Sequence, residues 1–576
     1  MEPYEPFVLL DDAHTGEATL LTGLQRVDEV RFATIDGVLA DGWQRGWHAF
    51  TWLPYSLGEA ELGIRDGGPG AIFWFGHRST DAETTWLKQS EGWLAGAEPD
   101  VTKDEFGAGI AQVHDAIAAG TTYQINYTHR VTARFAGDPV ELYRRLRERQ
   151  PVAYGVLAHL PAPAAPWTLS LSPELFVRVE GGVAITKPMK GTAPAHTDPA
   201  ELSSDPKNRA ENLMIVDLLR NDLSRVSKPG TVEVSGLFET ERVGQLWQMT
   251  STVRAELLPG TTPGGLLAAT FPCGSITGAP KLASMALIRD VEHDPRGLYT
   301  GSLGLLEPDD SPLGWRGVLN IAIRTLEIDP AAPGRNARLG IGSGVVADST
   351  ADAEWEECRV KAGFARGVGP TVSLIETLRV IDGVAPLGAR HQARLTSSAA
   401  ALGFHGVAGD AVAKAVAALP PGDWRLRLQV SPSGVIDATH TPLDETSGPV
   451  RIVLCAEPWW QDRSLARHKT THRAHFEDAY TEAQQQGAFD AIGWDVDGQV
   501  LEGTRTSVFA LLDDGWVTPP LTLGVLDGVQ RAAVLSDPAL IGATEIREAA
   551  FTVEQLRQAR RIVLTNAVRD ILTATW

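Results

Sequence analysis

Lys190 lies in Thr186-Lys187-Pro188-Met189-Lys190-Gly191-Thr192, between a proline that fixes the backbone and a glycine that lets a ligand approach closely. An amine held there is placed for covalent or acid-base work rather than for solubility. Carboxylates recur at helical spacing elsewhere in the chain. From Lys207 to Val226 the pattern predicts a helix in which Met214, Ile215, Leu218 and Leu219 follow Glu211 at offsets of three, four, seven and eight residues. Glu211 therefore shares the inward face. An inward carboxylate has to be neutralised by a cation, a proton or strong hydrogen bonds. A second helical stretch places Glu354 and Glu357 one turn apart, with Lys361 one further turn along. Carboxylate oxygens with few nitrogen or sulfur ligands suit magnesium, which retains waters and completes its shell with substrate oxygen.

Mixed elements must carry these groups. Ala184-Ile185-Thr186 and Val318-Leu319-Asn320-Ile321-Ala322 read as strands between long helical patterns, and Arg324 to Ile341 reads as a hairpin around Asp329 to Gly334. The expected fold class is α+β or α/β with substantial antiparallel sheet. The Pro/Ala-rich piece from Pro161 to Pro166 is expected to be an exposed loop within the first unit. A boundary is expected where Gly363, Gly367 and Gly369 precede Pro370 and a new alternating pattern begins at Ser373-Leu374-Ile375-Glu376-Thr377. This divides the chain into domains 1–366 and 367–576, without tandem repeats.

Composition narrows the class of function. A 576-residue chain with 43% hydrophobic and 21% charged residues is ordinary for a globular protein with several cores. The net charge of -21 is spread without a basic cluster, which argues against nucleic acid and against anionic membranes. An anionic substrate would need locally placed cations. Cys273, Cys358 and Cys455 are odd in number and far apart, supporting neither a disulfide framework nor a structural zinc site. The start of the chain has no basic-then-apolar leader, and no stretch approaches the ~20 apolar residues of a membrane span. A cytoplasmic protein is expected.

Around Lys190 run seven ordered blocks: Tyr123-Gln124-Ile125-Asn126, Ser172-Pro173-Glu174, the Lys190 segment itself, Arg209-Ala210-Glu211-Asn212-Leu213-Met214, Phe271 to Lys281, Asn320-Ile321-Ala322-Ile323-Arg324-Thr325, and Gly342-Ser343-Gly344 leading to Glu354-Trp355-Glu356-Glu357. Over about the first 365 residues they resemble the chorismate-utilising enzymes. The nearest branch is aminodeoxychorismate synthase component I, which carries lysine where anthranilate synthases usually carry alanine. The resemblance implies the chorismate-binding enzyme fold, antiparallel sheets with flanking helices. It places Glu211 and Glu357 on Mg2+ with Glu354 close behind. Chorismate has a second carboxylate, which the resemblance assigns to Arg324 and Tyr299, with Lys361 and backbone amides near Gly278, Gly342 and Gly344.

Displacing the ring hydroxyl of chorismate requires a proton donor, a nucleophile and stabilised charge. By the same resemblance Glu174 is the donor and Lys190 attacks the ring's second carbon as the hydroxyl on the fourth leaves, after which ammonia displaces the lysine. Gln124 stands where isochorismate and salicylate synthases carry a water-activating lysine, and an amide cannot act as a base at neutral pH. Amination to 4-amino-4-deoxychorismate is thus favoured over water attack. Gln248 replaces a histidine common in relatives and is left to hydrogen-bond the leaving hydroxyl. Cys273 reads as an inert core thiol. No segment resembles a glutamine amidotransferase, so ammonia is expected from a separate subunit or from solution.

The second domain carries its own ordered set: Glu376-Thr377-Leu378-Arg379, His391-Gln392-Ala393-Arg394-Leu395, His468-Lys469-Thr470, Leu501-Glu502-Gly503-Thr504, Leu526-Asp527-Gly528-Val529 and Leu564-Thr565-Asn566-Ala567. It resembles the two-subdomain class IV aminotransferase-fold enzymes, which use pyridoxal 5'-phosphate. The resemblance implies that Lys469 holds the cofactor covalently and that Glu502 sits against the pyridine nitrogen. Arg394, with donors near Gly528, Val529, Thr565 and Asn566, would take the phosphate. Ser507 stands where relatives often have asparagine, and the domain starts late, without the usual first strands. A lyase of the 4-amino-4-deoxychorismate type would let Lys469 withdraw the ring proton and expel pyruvate, giving 4-aminobenzoate for folate. Two rivals remain: an anthranilate synthase-type enzyme fused to an amino-acid transaminase, and a second domain that only scaffolds or regulates the first.

Overall fold

The computed structural model describes residues 5–80, 91–244, 246–332, 334–444, 446, 448–459 and 465–576. The chain divides into two units, one of residues 1–89, 96–135 and 139–368, the other of residues 90–95, 136–138 and 369–576.

Among the described residues of the first unit, eighteen strands join one hydrogen-bonded network. Three sets of pairings frame the site, all antiparallel. Gln124–Gly137 runs beside Ala337–Val345, so that Asn126, Thr128 and Arg130 face Gly344, Gly342 and Gly340. Thr325–Ile328 pairs with both Ala337–Val345 and Trp167–Ser172, which bears out the expected hairpin; Pro333 at its tip lies outside the described residues. Val183–Lys187 and Met189–Pro194 both pair with Leu246–Glu256. Pro188 separates them, and its carbonyl accepts the Ser251 amide at 3.2 Å. The loop from Pro161 to Pro166 joins Tyr154–His159 to Trp167–Ser172, with Pro161 and Ala162 exposed and Ala164 buried.

Two helices lean on this network. Pro206–Ser224 begins with Asp205, whose carboxylate accepts the Asn208 amide at 2.8 Å, and with proline in its first turn, where a missing N–H costs nothing. Ile215, Val216, Leu219 and Leu223 enter a core that includes Phe176 and Val253; full burial of each such side chain stabilises by roughly 1.5–3 kcal/mol. Ala351–Lys361 is capped by Thr350, which accepts the Ala353 amide at 3.3 Å. Its buried face is Glu354 and Cys358, one turn apart.

The second unit contains two sheets. Leu374–Val380, Trp424–Val430 and Ile436–Pro442 form a three-stranded antiparallel sheet, whose core takes in Trp93, Ala136, Leu374, Leu378, Leu426 and Leu428. The larger sheet is mixed: Val450–Leu454 is parallel to Asp490–Trp494 and to Asp570–Thr575, while Ser507–Leu512 is antiparallel to Arg561–Asn566. Cys273, Cys358 and Cys455 are buried free thiols, each pushed up to about 12 by burial. No helix among the described residues is long and apolar enough to cross a membrane.

Candidate active sites

In the first unit the strand alternation stacks Gly340, Gly342 and Gly344 on one face of the sheet, and polar side chains lie over them. A methyl group on the Gly344 α-carbon would stand 2.6 Å from Lys190 Nζ and 2.9 Å from Gln124 Nε2. Lys361 Nζ donates to the Gly342 carbonyl at 2.9 Å and pairs with Glu357 at 2.7 Å. A methyl group on Gly340 would fall 2.1 Å from the Tyr299 ring. Tyr299 thus lies at the far end of this row from Lys190, where it lines a cavity of about 380 Å³ with Trp52, Glu292 and Arg296.

Lys190 is not on a turn, as its flanking proline and glycine suggest. It sits in the strand Met189–Pro194 at a register shift between Met189 and Thr192, with Gly191 at φ 82°. The bulge supplies the departure from regular strand geometry that a turn was expected to provide, and it aims the lysine across the sheet. Glu174 lies in the break between Trp167–Ser172 and Leu175–Glu180. Gln248, 7% exposed, is opposite Thr192. Gly278 packs against the Gln124 backbone, where a Cβ would meet the Gln124 carbonyl at 2.2 Å; close strand contact, rather than ligand approach, accounts for glycine there.

The electrostatics are those of a buried cluster with interdependent charges. Burial lowers the Lys190 ammonium below the usual lysine range, opposed first by Glu211, with Lys361 lowering it further and Glu357 and Glu174 raising it. Glu174 is 4% exposed, and burial pushes its carboxyl up to about 7 against the Ser275 hydroxyl and Lys190. Burial lowers Arg324 to about 10, with Glu174 opposing it. Arg324 is also held at φ 49°, an uncommon conformation for a non-glycine residue. Burial raises Glu211; Lys190 and Lys207 draw it back, and Glu357 and Glu354 raise it further. Lys361 holds Glu357 below the ordinary range.

Several buried atoms here make no hydrogen bond within the protein: Glu174 Oε1, Gln124 Oε1, Gln248 Oε1, Arg324 Nη1 and Glu354 Oε2. Buried polar groups are ordinarily paired, so this cluster fits a polar ligand. The guanidinium suits an anion. The oxygen-only set of Glu211, Glu354 and Glu357, with Glu354 Oε2 unpaired and Glu357 paired with Lys361, has the donor type magnesium takes, with water and substrate oxygens needed to complete its shell. Among the described residues no three His, Cys, Asp or Glu side chains alone close around a cation.

The second unit gathers the seven residues read as cofactor-binding, Lys469, Glu502, Arg394, Gly528, Val529, Thr565 and Asn566, into the lining of one cavity of about 300 Å³. The Lys469 carbonyl accepts the Ile375 amide at 2.7 Å, and its Nζ donates to Thr377 Oγ1 at 3.5 Å. Burial lowers its amine to about 7, helped by Arg394 and Arg473. Glu502, 6% exposed, accepts the Leu526 amide at 3.0 Å, and burial raises its carboxyl to about 7. Arg394 is fixed by Glu376 in a fork of 2.9 and 2.6 Å. Glu376 also receives His391 Nδ1 at 2.5 Å. Thr565 Oγ1 is buried without a partner and lines the same cavity as Gly528, which precedes the helix Val529–Ser536. An amine brought near neutrality, an acid, a fixed guanidinium, a free hydroxyl and a helix start lining one cavity fit pyridoxal phosphate. Sequence reasoning missed Ser275, within Phe271 to Lys281, as the partner of Glu174, and Glu376 as the residue that holds both Arg394 and His391. Glu376 and His391 both lie in the ordered blocks of the second domain, but their contact across fifteen residues of sequence is made only by the fold.

Residues 373–575 match the profile of class IV amino-transferases, and residues 77–367, just over half of the chain, match that of the chorismate binding enzymes. The chain is 37% identical over 292 residues to anthranilate synthase component 1 of Streptomyces coelicolor, covering 49% of this chain and 54% of that protein. It is 35% identical over 310 residues to aminodeoxychorismate synthase component 1 of Klebsiella aerogenes, covering 52% of this chain and 64% of that one. The chain thus spans between half and two thirds of these curated relatives. Among solved structures, anthranilate synthase component I of Streptococcus pneumoniae TIGR4 superposes at a TM-score of 0.51 and 25% identity, over 63% of this chain and 91% of that one. With its lysine and buried carboxylates set on the glycine-lined sheet, and with a class IV aminotransferase domain following, the chain belongs to the chorismate binding enzyme family.

Proposed function

We propose that the first unit aminates chorismate to 4-amino-4-deoxychorismate and that the second converts this product to 4-aminobenzoate and pyruvate, serving folate synthesis in the cytoplasm. The observation that carries the reading is Lys190 Nζ above Gly344, in a pocket with the protonatable Glu174 and the buried Arg324. Relatives include both anthranilate and aminodeoxychorismate synthases at similar identity, so the residue types must choose between them. Lysine at 190 supports the second.

In this mechanism Arg324 takes one carboxylate of chorismate, with Lys361 and the backbone around Gly342 nearby. Glu211 and Glu357, with Glu354 behind them, would hold Mg2+, whose charge offsets the other carboxylate. The desolvated Lys190 amine forms a bond to the second ring carbon as the ring double bonds shift and the hydroxyl leaves the fourth carbon with the Glu174 proton. Ammonia, from a separate glutamine amidotransferase subunit, then bonds to the fourth carbon as Lys190 departs from the second. Gln124 and Gln248 supply hydrogen bonds without acting as bases.

In the second unit, pyridoxal phosphate supplies an aldehyde and an electron-accepting ring. Lys469 would hold it, Glu502 would keep its pyridine nitrogen protonated, and Arg394, Thr565 and the amides from Gly528 would take its phosphate. Once released, Lys469 Nζ removes the proton from the carbon bearing the amine, and pyruvate is expelled as the ring becomes aromatic.

Mass analysis of products from the purified chain with chorismate, magnesium and ammonium, with and without pyridoxal phosphate, tests both halves. The expected products are 4-amino-4-deoxychorismate alone and 4-aminobenzoate when the cofactor is added. Formation of 2-aminobenzoate would defeat the assignment. Rates with glutamine alone equal to those with ammonium would remove the separate subunit.

A further inference from the structure

The small sheet of the second unit turns two arginines, Arg425 exposed and Arg427 half-buried, toward the cavity lined by Lys469. In Trp424–Val430 the residues Leu426, Leu428 and Val430 are buried in the core. The pleat therefore sends Arg425 and Arg427 to the opposite face, and both line the cavity. Arg427 stands opposite Thr377, whose hydroxyl accepts from Lys469 Nζ. Arg425 stands opposite Arg379, a like-charge juxtaposition that destabilises a sheet. Arg379 Nε is itself buried without a partner. The carboxylate on that face, Asp437, lies opposite Gln429, and no ion pair of Arg425 or Arg427 occurs among the described residues. Arg394 differs from them, since Glu376 already balances its charge.

A half-buried guanidinium at Arg427, without an ion pair among the described residues and beside a reactive amine, calls for an anion, and its planar fork matches a carboxylate. We propose that Arg427, with Arg425 beside it, is the subsite for a substrate carboxylate and makes the second unit selective for amines bearing two carboxylates over those bearing one. The inference rests on the reading of this cavity as a pyridoxal phosphate site. It goes beyond that reading by naming the residues that select the substrate.

The test loads the full chain with pyridoxal phosphate and measures, by calorimetry, the binding of isophthalate, a dicarboxylate, and of benzoate, a monocarboxylate. The unsubstituted chain is expected to bind isophthalate about tenfold or more tightly than benzoate. Arg427→Met is expected to erase that preference while the Lys469-dependent visible absorbance of the cofactor persists, and Arg427→Lys to retain part of it. Equal binding of the two probes by the unsubstituted chain, or an Arg427→Met variant that weakens both alike, overturns the subsite. Absence of cofactor absorbance from the unsubstituted chain sinks the cofactor reading and the subsite together, whereas normal absorbance without dicarboxylate preference sinks the subsite alone.

Discussion

Lys190 lays its ammonium over the bare α-carbon of Gly344, so close that a methyl group there would stand 2.6 Å from Nζ. The strand Ala337–Val345 and the bulged strand Met189–Pro194 meet at this point although they lie far apart in the chain. Gly344→Ala should therefore displace the amine without unfolding the sheet. We expect amination to fall at least about a hundredfold, since a misplacement near 1 Å can cost that much, with an unchanged circular dichroism spectrum. Lys190→Ala should lose several orders of magnitude if the amine forms the covalent bond. An unaltered rate in either variant, measured with ammonium, would remove Lys190 from the chemistry.

Glu174 links catalysis to stability. Its folded carboxyl titrates at about 7, against roughly 4.3 in an unfolded chain. A raised folded value means that the protonated form favours folding. Its contribution is complete below about pH 4.3 and is lost as pH rises through about 7. For a buried group this amounts to on the order of 3 kcal/mol. Denaturant titrations across pH 4 to 8 should show Glu174→Gln with a shallower decline in stability than the unsubstituted chain; parallel curves would contradict the assigned ionisation.

Arg324 is buried beside Glu174 and has a donor without a protein partner. Replacing it with methionine keeps the apolar stem and removes the charge. We expect KM for chorismate to rise about tenfold to a hundredfold, as for a lost charge-assisted bond, with a smaller effect on kcat. A change confined to kcat would mean that Arg324 acts on the departing group instead of the bound carboxylate.

Burial and two arginines bring the Lys469 amine down to about 7, whereas an ordinary lysine near 10.4 is almost wholly charged at neutral pH. Only the neutral amine reacts with an aldehyde. The rate of pyridoxal phosphate uptake by stopped-flow absorbance should accordingly rise with pH through about 7 and level off above it. A rise that continues toward pH 10 would show a solvated lysine, and Lys469→Ala should show no uptake at all.

Glu376 holds Arg394 and His391 together in a site where all three side chains are almost fully enclosed. Glu376→Gln leaves a buried guanidinium short of its partner, a loss of about 3–5 kcal/mol for a broken buried pair. Thermal denaturation should report a lowered Tm, and added pyridoxal phosphate should recover part of it by engaging Arg394. No recovery would show that Arg394 is structural only.

Local patterns were readable where one element carries its own signal. The helix bearing Glu211 announced itself by the three-to-four-residue spacing of Ile215 and Leu219. The hairpin before Gly342 announced itself by its proline and glycine turn. Lys190 was legible as a reactive amine from its neighbours but not as a bulge residue, because a bulge is defined by the partner strand Leu246–Glu256, which no local pattern reveals. The place of Tyr299 over Gly340 depended likewise on two segments that only the sheet brings together.

By itself the amino-acid order determined the kinds of groups present and their intervals along each helix and strand: an amine flanked by proline and glycine, and carboxylates one turn apart. Only the tertiary structure decided which of them meet and which are stripped of water. A side chain's charge state follows from the dielectric and the neighbours that folding places around it. That is why Glu174 and Lys469, ordinary residues in a list, titrate near neutrality in the folded chain.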